Sequence, residues 1–252
     1  MFNRSLILSL AACLLIAVPG FSAAQQTNLM SNPDYLHGVQ AMQAGKPIDA
    51  IKAFDKFLKG HPKDLNALNN RGVAYMRLGK NDLALKDFNL AIQLSPNVAA
   101  SYFNRATLRR LMNQPAESLK DLSKTISLDP TFLPALQERA AMYFSQKRFD
   151  KTIADLNAIL KYTPNTKEML PTRATAYNFR GFAFLQQGKL TDAMKDFDQT
   201  LKLQPNHALA MANKAQVLYK QGKCKESLTW LKKSCQASHA MACNLLKQIK
   251  CK

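Results

Sequence analysis

"NNRGVAYMRLGKNDLALKDFNLAIQLSP", residues 69–96, contains two apolar stretches separated by a short polar turn. Apolar residues recur at helical spacing in 68–78 and again in 83–94, which predicts two amphipathic helices. The Gly-Lys-Asn sequence at 79–81 interrupts this pattern, and Pro96 stops the second helix. The stretch therefore predicts one helical hairpin.

The same pattern recurs along the chain in steps of 34 residues, with one insertion of seven. Prolines keep this step at Pro62, Pro96, Pro130, Pro164 and, after the insertion, Pro205. Four further registers keep it too: a small residue (Gly38, Gly72, Ala106, Ala140, Gly181, Ala215), a turn residue (Gly45, Gly79, Asn113, Lys147, Gly188, Gly222), a second small residue (Ala50, Ala84, Ser118, Thr152, Ala193, Ser227) and a large apolar residue (Phe54, Phe88, Leu122, Leu156, Phe197, Leu231). Because one hairpin cannot bury its apolar face alone, we expect the units to stack.

These registers resemble the tetratricopeptide repeat (TPR) family, which combines small residues, an aromatic residue, a glycine turn, Ala, Phe and a final Pro over 34 residues. A second clear copy is "YNFRGFAFLQQGKLTDAMKDFDQTLKLQP", residues 177–205. The family's first-helix tryptophan is absent, and the sixth copy has His239 in place of the final proline. The resemblance implies an all-α fold, a right-handed α-solenoid of six helical hairpins, to which the cysteines discussed below are expected to add a disulfide-stapled C-terminal capping helix.

The expected boundaries follow the repeat step. They are a signal peptide (1–24), a flexible N-terminal segment (25–30), six units (31–64, 65–98, 99–132, 133–166, 174–207 and 208–241), an insertion (167–173) and the capping helix (242–252). Pro171 favours a helix that starts there, so the insertion is expected as a loop rather than as an extension of the fifth unit's first helix.

The N-terminus predicts export. Arg4 precedes an apolar run from Leu6 to Val18, and small residues follow at 22–24, which is the pattern of a secretory signal. The run is shorter than the roughly 18 residues that a membrane-spanning helix needs. We therefore expect a periplasmic or secreted protein. The sequence "LAAC" at 10–13 resembles a lipoprotein signal that is acylated at Cys13, but the apolar run continues past this cysteine, which argues against anchoring.

Removal of the signal leaves four cysteines, and an oxidising compartment favours disulfides. Two helices are predicted, over about 225–235 and 240–250, joined near Ser238. In an antiparallel arrangement Cys235 and Cys243 flank the turn, and Cys224 and Cys251 meet at the open end. The stretch also resembles cysteine-rich Sel-type repeats, in which two cysteines separated by seven residues are bridged.

A metal site is the alternative, because Cys235, His239 and Cys243 would share one face if the turn were helical. The sequence favours disulfides over this site, and a redox-active pair is disfavoured because no C-x-x-C motif occurs.

The charge balance is strongly basic, with 35 Lys and Arg against 17 Asp and Glu. Such a protein is attracted to anionic surfaces, including cell-wall polymers and lipid headgroups, which gives an alternative function as an electrostatic binder of the cell envelope. Nucleic acid is not the expected partner, because the lysines are spread without an aromatic-interleaved cluster and the chain is predicted to be exported.

In the TPR family the first helix of each hairpin lines a groove that binds proteins or peptides. Carried over by register, the groove residues of this chain are Asn69, Asn70, Val73, Arg77, Phe103, Asn104, Thr107, Arg110, Gln137, Glu138, Phe144, Asn178, Phe182, Gln186, Asn213, Gln216 and Tyr219. Amides bind an extended peptide backbone whatever its sequence, and aromatic rings hold its side chains. The expected function is an adaptor or scaffold for segments of envelope proteins. Packing between helices is the competing role for Phe103, Phe144 and Phe182.

No catalytic site is predicted. The four histidines, His37, His61, His207 and His239, lie far apart and near turns or ends of elements. None stands beside a nucleophile and a carboxylate at motif spacing, and the sequence has no phosphate-binding glycine loop or metalloprotease signature. We therefore expect no enzyme, no metal and no cofactor.

Overall fold

The computed structural model describes residues 32–249 and residue 251. The predicted signal peptide, the segment 25–30 and Cys13 lie outside these residues. Within the described part the regular structure is helical, without strands. The helices are α1 (Pro33–Gln43), α2 (Pro47–Gly60), α3 (Leu65–Arg77), α4 (Asn81–Leu94), α5 (Ala99–Leu111), α6 (Pro115–Leu128), α7 (Leu133–Ser145), α8 (Phe149–Tyr162), α9 (Leu170–Gln186), α10 (Leu190–Leu203), α11 (Ala208–Lys220), α12 (Cys224–Gln236) and α13 (Ala240–Gln248).

The helices pair in sequence order, and the chain divides into two compact units at Pro130 and Thr131. Unit 1 stacks the hairpins α1/α2, α3/α4 and α5/α6, and unit 2 stacks α7/α8, α9/α10 and α11/α12 and ends with α13. The prediction of an all-α fold of helical hairpins is confirmed. Within the described residues no helix is both long and apolar enough to cross a bilayer.

Every hairpin turns at a residue with left-handed backbone. Gly79 between α3 and α4 has φ +69°, and its equivalents are Gly45, Asn113, Lys147, Gly188 and Gly222, all with φ between 57° and 78°. Glycine tolerates this conformation because it has no Cβ, whereas a lysine there is strained. The turn register of the sequence therefore marks one repeated backbone conformation.

The two helices of each hairpin meet at a small residue of the first helix and a large residue of the second, 16 positions later. A Cβ added to Gly72 would lie 2.5 Å from the Phe88 ring, and Gly38 and Gly181 meet Phe54 and Phe197 in the same way. Where the second helix has leucine instead, the first has alanine: these pairs are Ala106 and Leu122, Ala140 and Leu156, and Ala215 and Leu231. A larger side chain on the second helix therefore goes with a smaller residue on the first, so that the space between the two helices stays filled.

Serine replaces alanine at some positions of the second small-residue register, and its hydroxyl group finds a hydrogen-bond partner there. Ser118 donates to the Ala106 carbonyl at 2.9 Å, and Ser227 donates to the Ala215 carbonyl at 2.8 Å. Both hydroxyls are buried, so the hydrogen bond removes the penalty of an unsatisfied polar group. The substitution ties the second helix to the first.

The insertion is only partly the loop that was expected. Residues Lys167–Met169 form a 3₁₀ turn, and α9 then begins at Leu170. α9 has 17 residues, against 13 in α3, α5, α7 and α11, so four inserted residues lengthen the fifth unit's first helix. Pro171 lies in the first turn, where its missing N–H has no partner to lose.

The antiparallel pair α12/α13, which we call the last hairpin, is closed by two nested disulfides, as predicted. Cys235 and Cys243 are bonded across the turn with Cα atoms 4.7 Å apart, and Cys224 is bonded to Cys251 at the open end with Cα atoms 5.6 Å apart. Ser238 has φ 67°, so the turn between α12 and α13 is not helical. This turn and the S–S bonds leave no thiolate for the alternative metal site. α13 begins at Ala240, two residues before the expected boundary of the capping helix.

Candidate functional site

The first helices of unit 1 lie side by side, α1 against α3 and α3 against α5. We call the surface they form the first-helix face of unit 1. The predicted residues Asn69, Asn70, Val73 and Arg77 belong to α3, and Phe103, Asn104, Thr107 and Arg110 belong to α5.

A chain of amide and hydroxyl groups connects these helices. Asn104 Nδ2 donates to Asn69 Oδ1 at 3.3 Å, and Asn69 Nδ2 donates to Ser101 Oγ at 2.9 Å and to the Leu65 carbonyl at 2.9 Å. Asn69 is buried, so its amide serves the packing of α3 on α5 and is closed to a ligand. Asn104 is half-buried and keeps one edge open to solvent.

Asn70 occupies the equivalent position one repeat earlier, on α3. Its Nδ2 donates to the hydroxyl of Tyr35 on α1 at 3.3 Å, and its side chain is half-buried. Burial and the charge of Asp64 raise the pKa of Tyr35 to about 12, so the phenol stays protonated at neutral pH. The amide of Asn70 is therefore held in place by a fixed neighbour, as the amide of Asn104 is.

The other predicted residues of unit 1 differ in how far they are open to a ligand. Phe103 and Thr107 are buried, and the Thr107 hydroxyl donates to the Phe103 carbonyl at 3.1 Å. Arg77 is exposed, but its Nη1 donates to the Met42 carbonyl on α1 at 2.9 Å. Val73 and Arg110 are half-buried. Of the three predicted amides in this unit, Asn70 and Asn104 are thus the accessible ones, because Asn69 is buried.

Unit 2 has a first-helix face of different character, formed by α7, α9 and α11. Asn213 Nδ2 donates to Asn178 Oδ1 at 3.1 Å, and both side chains are buried, so this pair joins α11 to α9. Gln137, Gln186 and Gln216 are exposed, and Glu138 is half-buried. Tyr219 exposes 53% of its surface at the end of α11.

Aromatic residues connect α7 with α9. The ring of Phe144 lies 5.4 Å from Phe149, 5.2 Å from Phe179 and 5.4 Å from Phe182, measured between ring centroids. Phe144 is buried and acts in packing, whereas Phe179 and Phe182 are half-buried on α9. Such clustered rings stabilise the helix contact and leave part of an apolar surface exposed.

The sequence prediction missed three apolar residues of these faces. Leu36 and Phe179 occupy the register of Asn70 and Asn104, and Leu209 exposes 45% of its surface at the start of α11. Leu36 and Phe179 could have been predicted from the repeat step alone, because it places them at the same position of a first helix as Asn70 and Asn104.

The arginines beside Asn70 and Asn104 have a structural role. Arg71 Nε and Nη2 donate to the two carboxylate oxygens of Asp87 at 2.9 and 2.7 Å. The same two-point contact joins Arg105 to Asp121, Arg139 to Asp155, and Arg180 to Asp196. Burial alone would lower the pKa of Arg71, but hydrogen bonds and charge from Asp87 and Asp55 raise it above its usual value. These guanidinium groups join the two helices of four of the six hairpins.

No metal centre is formed by the described residues, which contain no group of three His, Cys, Asp or Glu side chains suited to one. His207 is the N-cap of α11, and its Nδ1 accepts a hydrogen bond from the Ala210 N–H at 3.1 Å. Burial lowers the pKa of His207, which keeps the ring neutral and able to accept.

Models of the tetratricopeptide repeat family match residues 35–99, 174–207 and 207–240, just over half of the chain. No curated protein matches. Among solved structures, YrrB, described as a TPR protein with an unusual peptide-binding site, is 16% identical with a TM-score of 0.66, and the match covers 79% of this chain and all of YrrB. The protein MamA is 21% identical with a TM-score of 0.57 and coverage of 74% and 96%. The protein pilF of Pseudomonas aeruginosa is 20% identical with a TM-score of 0.55 and coverage of 71% and 78%.

At these identities the structural matches show the fold alone. The family models, the repeat step and the six hairpins agree, and the chain belongs to the tetratricopeptide repeat family.

Proposed function

We propose that this chain is an exported adaptor that binds peptide segments or helices of cell-envelope proteins on its first-helix faces. The family consists of interaction modules, and YrrB is described as having a peptide-binding site. The observation that carries the proposal is the pair of half-exposed amides, Asn70 and Asn104, at equivalent positions of neighbouring helices.

Each of these amides is already fixed on one side. Asn70 and Asn104 each donate one N–H to a neighbouring helix, which leaves the carbonyl oxygen for an N–H of a ligand. Adjacent packed helices are about 8–10 Å apart, and an extended peptide advances about 3.3 Å per residue. A peptide that crosses α3 and α5 would therefore meet one amide about every three residues.

The face of unit 2 suits the side chains of a ligand rather than its backbone. Phe182 and Phe179 are half-buried on α9, and Leu209 and Tyr219 are exposed on α11. Partly exposed aromatic rings bury large apolar area at low entropic cost, which is why they serve as anchors in interfaces. Leucine or aromatic side chains of a partner would fit this surface.

Export is supported by the sequence and by the disulfides. The N-terminal residues have the pattern of a secretory signal, and all four cysteines of the C-terminal hairpin are bonded in pairs. Stable structural disulfides are typical of oxidising compartments. An envelope location makes envelope proteins the expected partners.

The test is site-specific photo-crosslinking in an envelope extract, with the crosslinker at Val73 and, as a control, at Asn97 in an exposed turn. Captured segments are then made as peptides, and their affinity is measured by fluorescence anisotropy. We expect N70A/N104A to weaken binding about tenfold, as two hydrogen bonds of 0.5–1.5 kcal/mol predict. The matched variant N97A/N206A, which removes two exposed turn amides, should bind as the parent does.

Equal affinity of both double variants would contradict the proposal. A purely electrostatic association is the alternative function, and salt separates the two. Binding that collapses between 0.1 and 0.5 M salt for parent and variants alike would favour attraction of the basic chain to an anionic surface over recognition by amides and rings.

A further inference from the structure

Two nearly identical segments of the sequence contain the two cysteines of one disulfide. They are KQGKCK at 220–225 and KQIKCK at 247–252, each with three lysines around one cysteine. Cys224 and Cys251 are bonded to one another, so the disulfide joins the two lysine-rich segments. Between 220 and 252 the sequence has eight lysines and a single acidic residue, Glu226.

The described lysines of these segments are Lys220, Lys223, Lys225 and Lys247, which we call the lysine cluster. All four are exposed, and none takes part in the ion pairs of the described part of the chain. Like charges held close together repel one another and destabilise the folded state. The Cys224–Cys251 bond joins the two segments that carry these lysines, and an anionic ligand would offset the repulsion between their charges.

The helix that carries Lys247, α13, also exposes apolar side chains. Met241 and Leu245 expose 67% and 38% of their surfaces, and α13 fully buries only Ala242. Residues four apart lie on the same side of a helix, so these two side chains form a short apolar stripe on the helix that also carries Lys247. Exposed apolar residues beside lysines are typical of helices that lie in the interface of an anionic membrane.

We propose that the lysine cluster, together with Met241 and Leu245, is a docking surface for an anionic lipid bilayer. The ammonium groups contact headgroup phosphates, and the two apolar side chains enter the boundary between headgroups and acyl chains. An acidic protein or a soluble polyanion would satisfy the lysines but would leave Met241 exposed. The surface consists of residues of unit 2, whereas the amides of α3 and α5 belong to unit 1, so the proposal does not depend on peptide binding by those amides.

The experiment measures co-sedimentation of the full mature chain with vesicles of 30% phosphatidylglycerol in phosphatidylcholine, and with vesicles of phosphatidylcholine alone. Each lysine near an anionic surface contributes about fivefold in affinity, so K220Q/K223Q/K225Q/K247Q should lower it by more than about a hundredfold. The matched variant K46Q/K52Q/K59Q/K63Q removes the same charge from exposed lysines of the first hairpin and its following turn. It should stay within about threefold of the parent, because these lysines are not part of the proposed surface.

Equal loss in both quadruple variants would overturn the proposal, since net charge and not this surface would then govern binding. Equal binding of the parent to neutral and anionic vesicles would overturn it as well. Lysine-to-glutamine substitutions at exposed positions leave the fold intact, which circular dichroism verifies.

A second arm separates lipid from other anions. The variant M241S/L245S should lower vesicle affinity about tenfold, because two apolar side chains no longer enter the interface, and should leave binding to inorganic polyphosphate unchanged. If vesicle affinity is unchanged in this variant, the membrane assignment fails and the cluster is a site for soluble polyanions or acidic proteins.

A third arm tests the disulfide that joins the two segments. C224S/C251S should lower vesicle affinity about tenfold, whereas C235S/C243S, which opens the other end of the same hairpin, should stay within about threefold. Equal affinities of these two variants would show that the Cys224–Cys251 bridge does not assemble the surface.

Discussion

The contact between Gly72 and Phe88 allows a direct test of how the two helices of a hairpin fit. An alanine Cβ at position 72 would lie 2.5, 2.9 and 3.0 Å from three carbons of the Phe88 ring, and Phe88 is fully buried. Non-bonded carbons are normally about 3.5–4.0 Å apart, so the ring or the helix must move by about 1 Å. Overpacking of this kind costs about 1–3 kcal/mol, against a gain of about 0.5–1 kcal/mol from alanine in a helix. We expect G72A to destabilise the chain by about 1–2 kcal/mol.

A double-mutant cycle between positions 72 and 88 uses the alanine–leucine pair that other hairpins of the chain contain. F88L alone should destabilise by about 1 kcal/mol or more, because it leaves a cavity above Gly72. G72A/F88L recreates the pair found at Ala106 and Leu122, so the double variant should be about as stable as F88L or more stable. The predicted coupling energy is about 1–2 kcal/mol in favour of the double variant.

The assay is urea unfolding followed by circular dichroism at 222 nm, with all variants compared at equal slope. G60A is the matched control, because Gly60 ends α2 with no atom within 4 Å of an added Cβ, and it should be neutral or slightly stabilising. Two results would refute the reasoning: G72A no less stable than G60A, or effects of G72A and F88L that simply add.

Three further predictions follow from single contacts. N113G should raise the free energy of unfolding by about 1 kcal/mol in the same urea assay, because Asn113 has φ 57° and glycine adopts this conformation without strain; a loss of stability would contradict the turn geometry. Burial lowers the pKa of His207, so the stability that its neutral ring contributes is present above about pH 6.5 and is lost as pH falls through the lowered pKa. H207N keeps the N-cap without a titrating ring, so its melting temperature should lose this dependence on pH. A melting temperature of H207N that depends on pH as in the parent would disprove this. D196A should destabilise the chain by about 2–3 kcal/mol, because it leaves the largely buried Arg180 without its two-point partner. D198A breaks an ion pair with a half-exposed carboxylate and should cost under 1 kcal/mol. Similar losses of stability in the two variants would argue against a larger contribution from the buried pair.

The hairpins were predictable from sequence because their determinants are local and repeated. Helical periodicity, a left-handed turn residue and a closing proline recur in step, and each has a direct steric cause. The nested cysteine pairs followed from the same helix geometry. The insertion was predicted less well, since Pro171 is compatible both with a loop that ends before it and with a helix that has already begun.

The faces of the first helices were harder to predict, because a register fixes the direction of a Cβ but not what covers it. Asn69 and Asn70 are chain neighbours, yet Asn69 is buried between α3 and α5, whereas Asn70 is half-exposed beside Tyr35. The difference depends on side chains 32 to 35 residues away in the sequence. Only the assembled stack decides which amide is used for packing.

The sixth hairpin shows how the same scaffold is stabilised without its usual ion pair. Register places Lys214 and Trp230 where four earlier hairpins have arginine and aspartate, and the Lys214 ammonium lies 4.3 Å from the Trp230 ring centroid, with Lys233 at 4.4 Å. A cation over an aromatic ring contributes about 0.5–2 kcal/mol, less than a buried two-point carboxylate contact. Two disulfides lie in this same hairpin and its following helix, and each adds about 2–4 kcal/mol by restricting the unfolded chain. The disulfides therefore add stability in the hairpin where a cation over an aromatic ring takes the place of the recurring Arg–Asp contact.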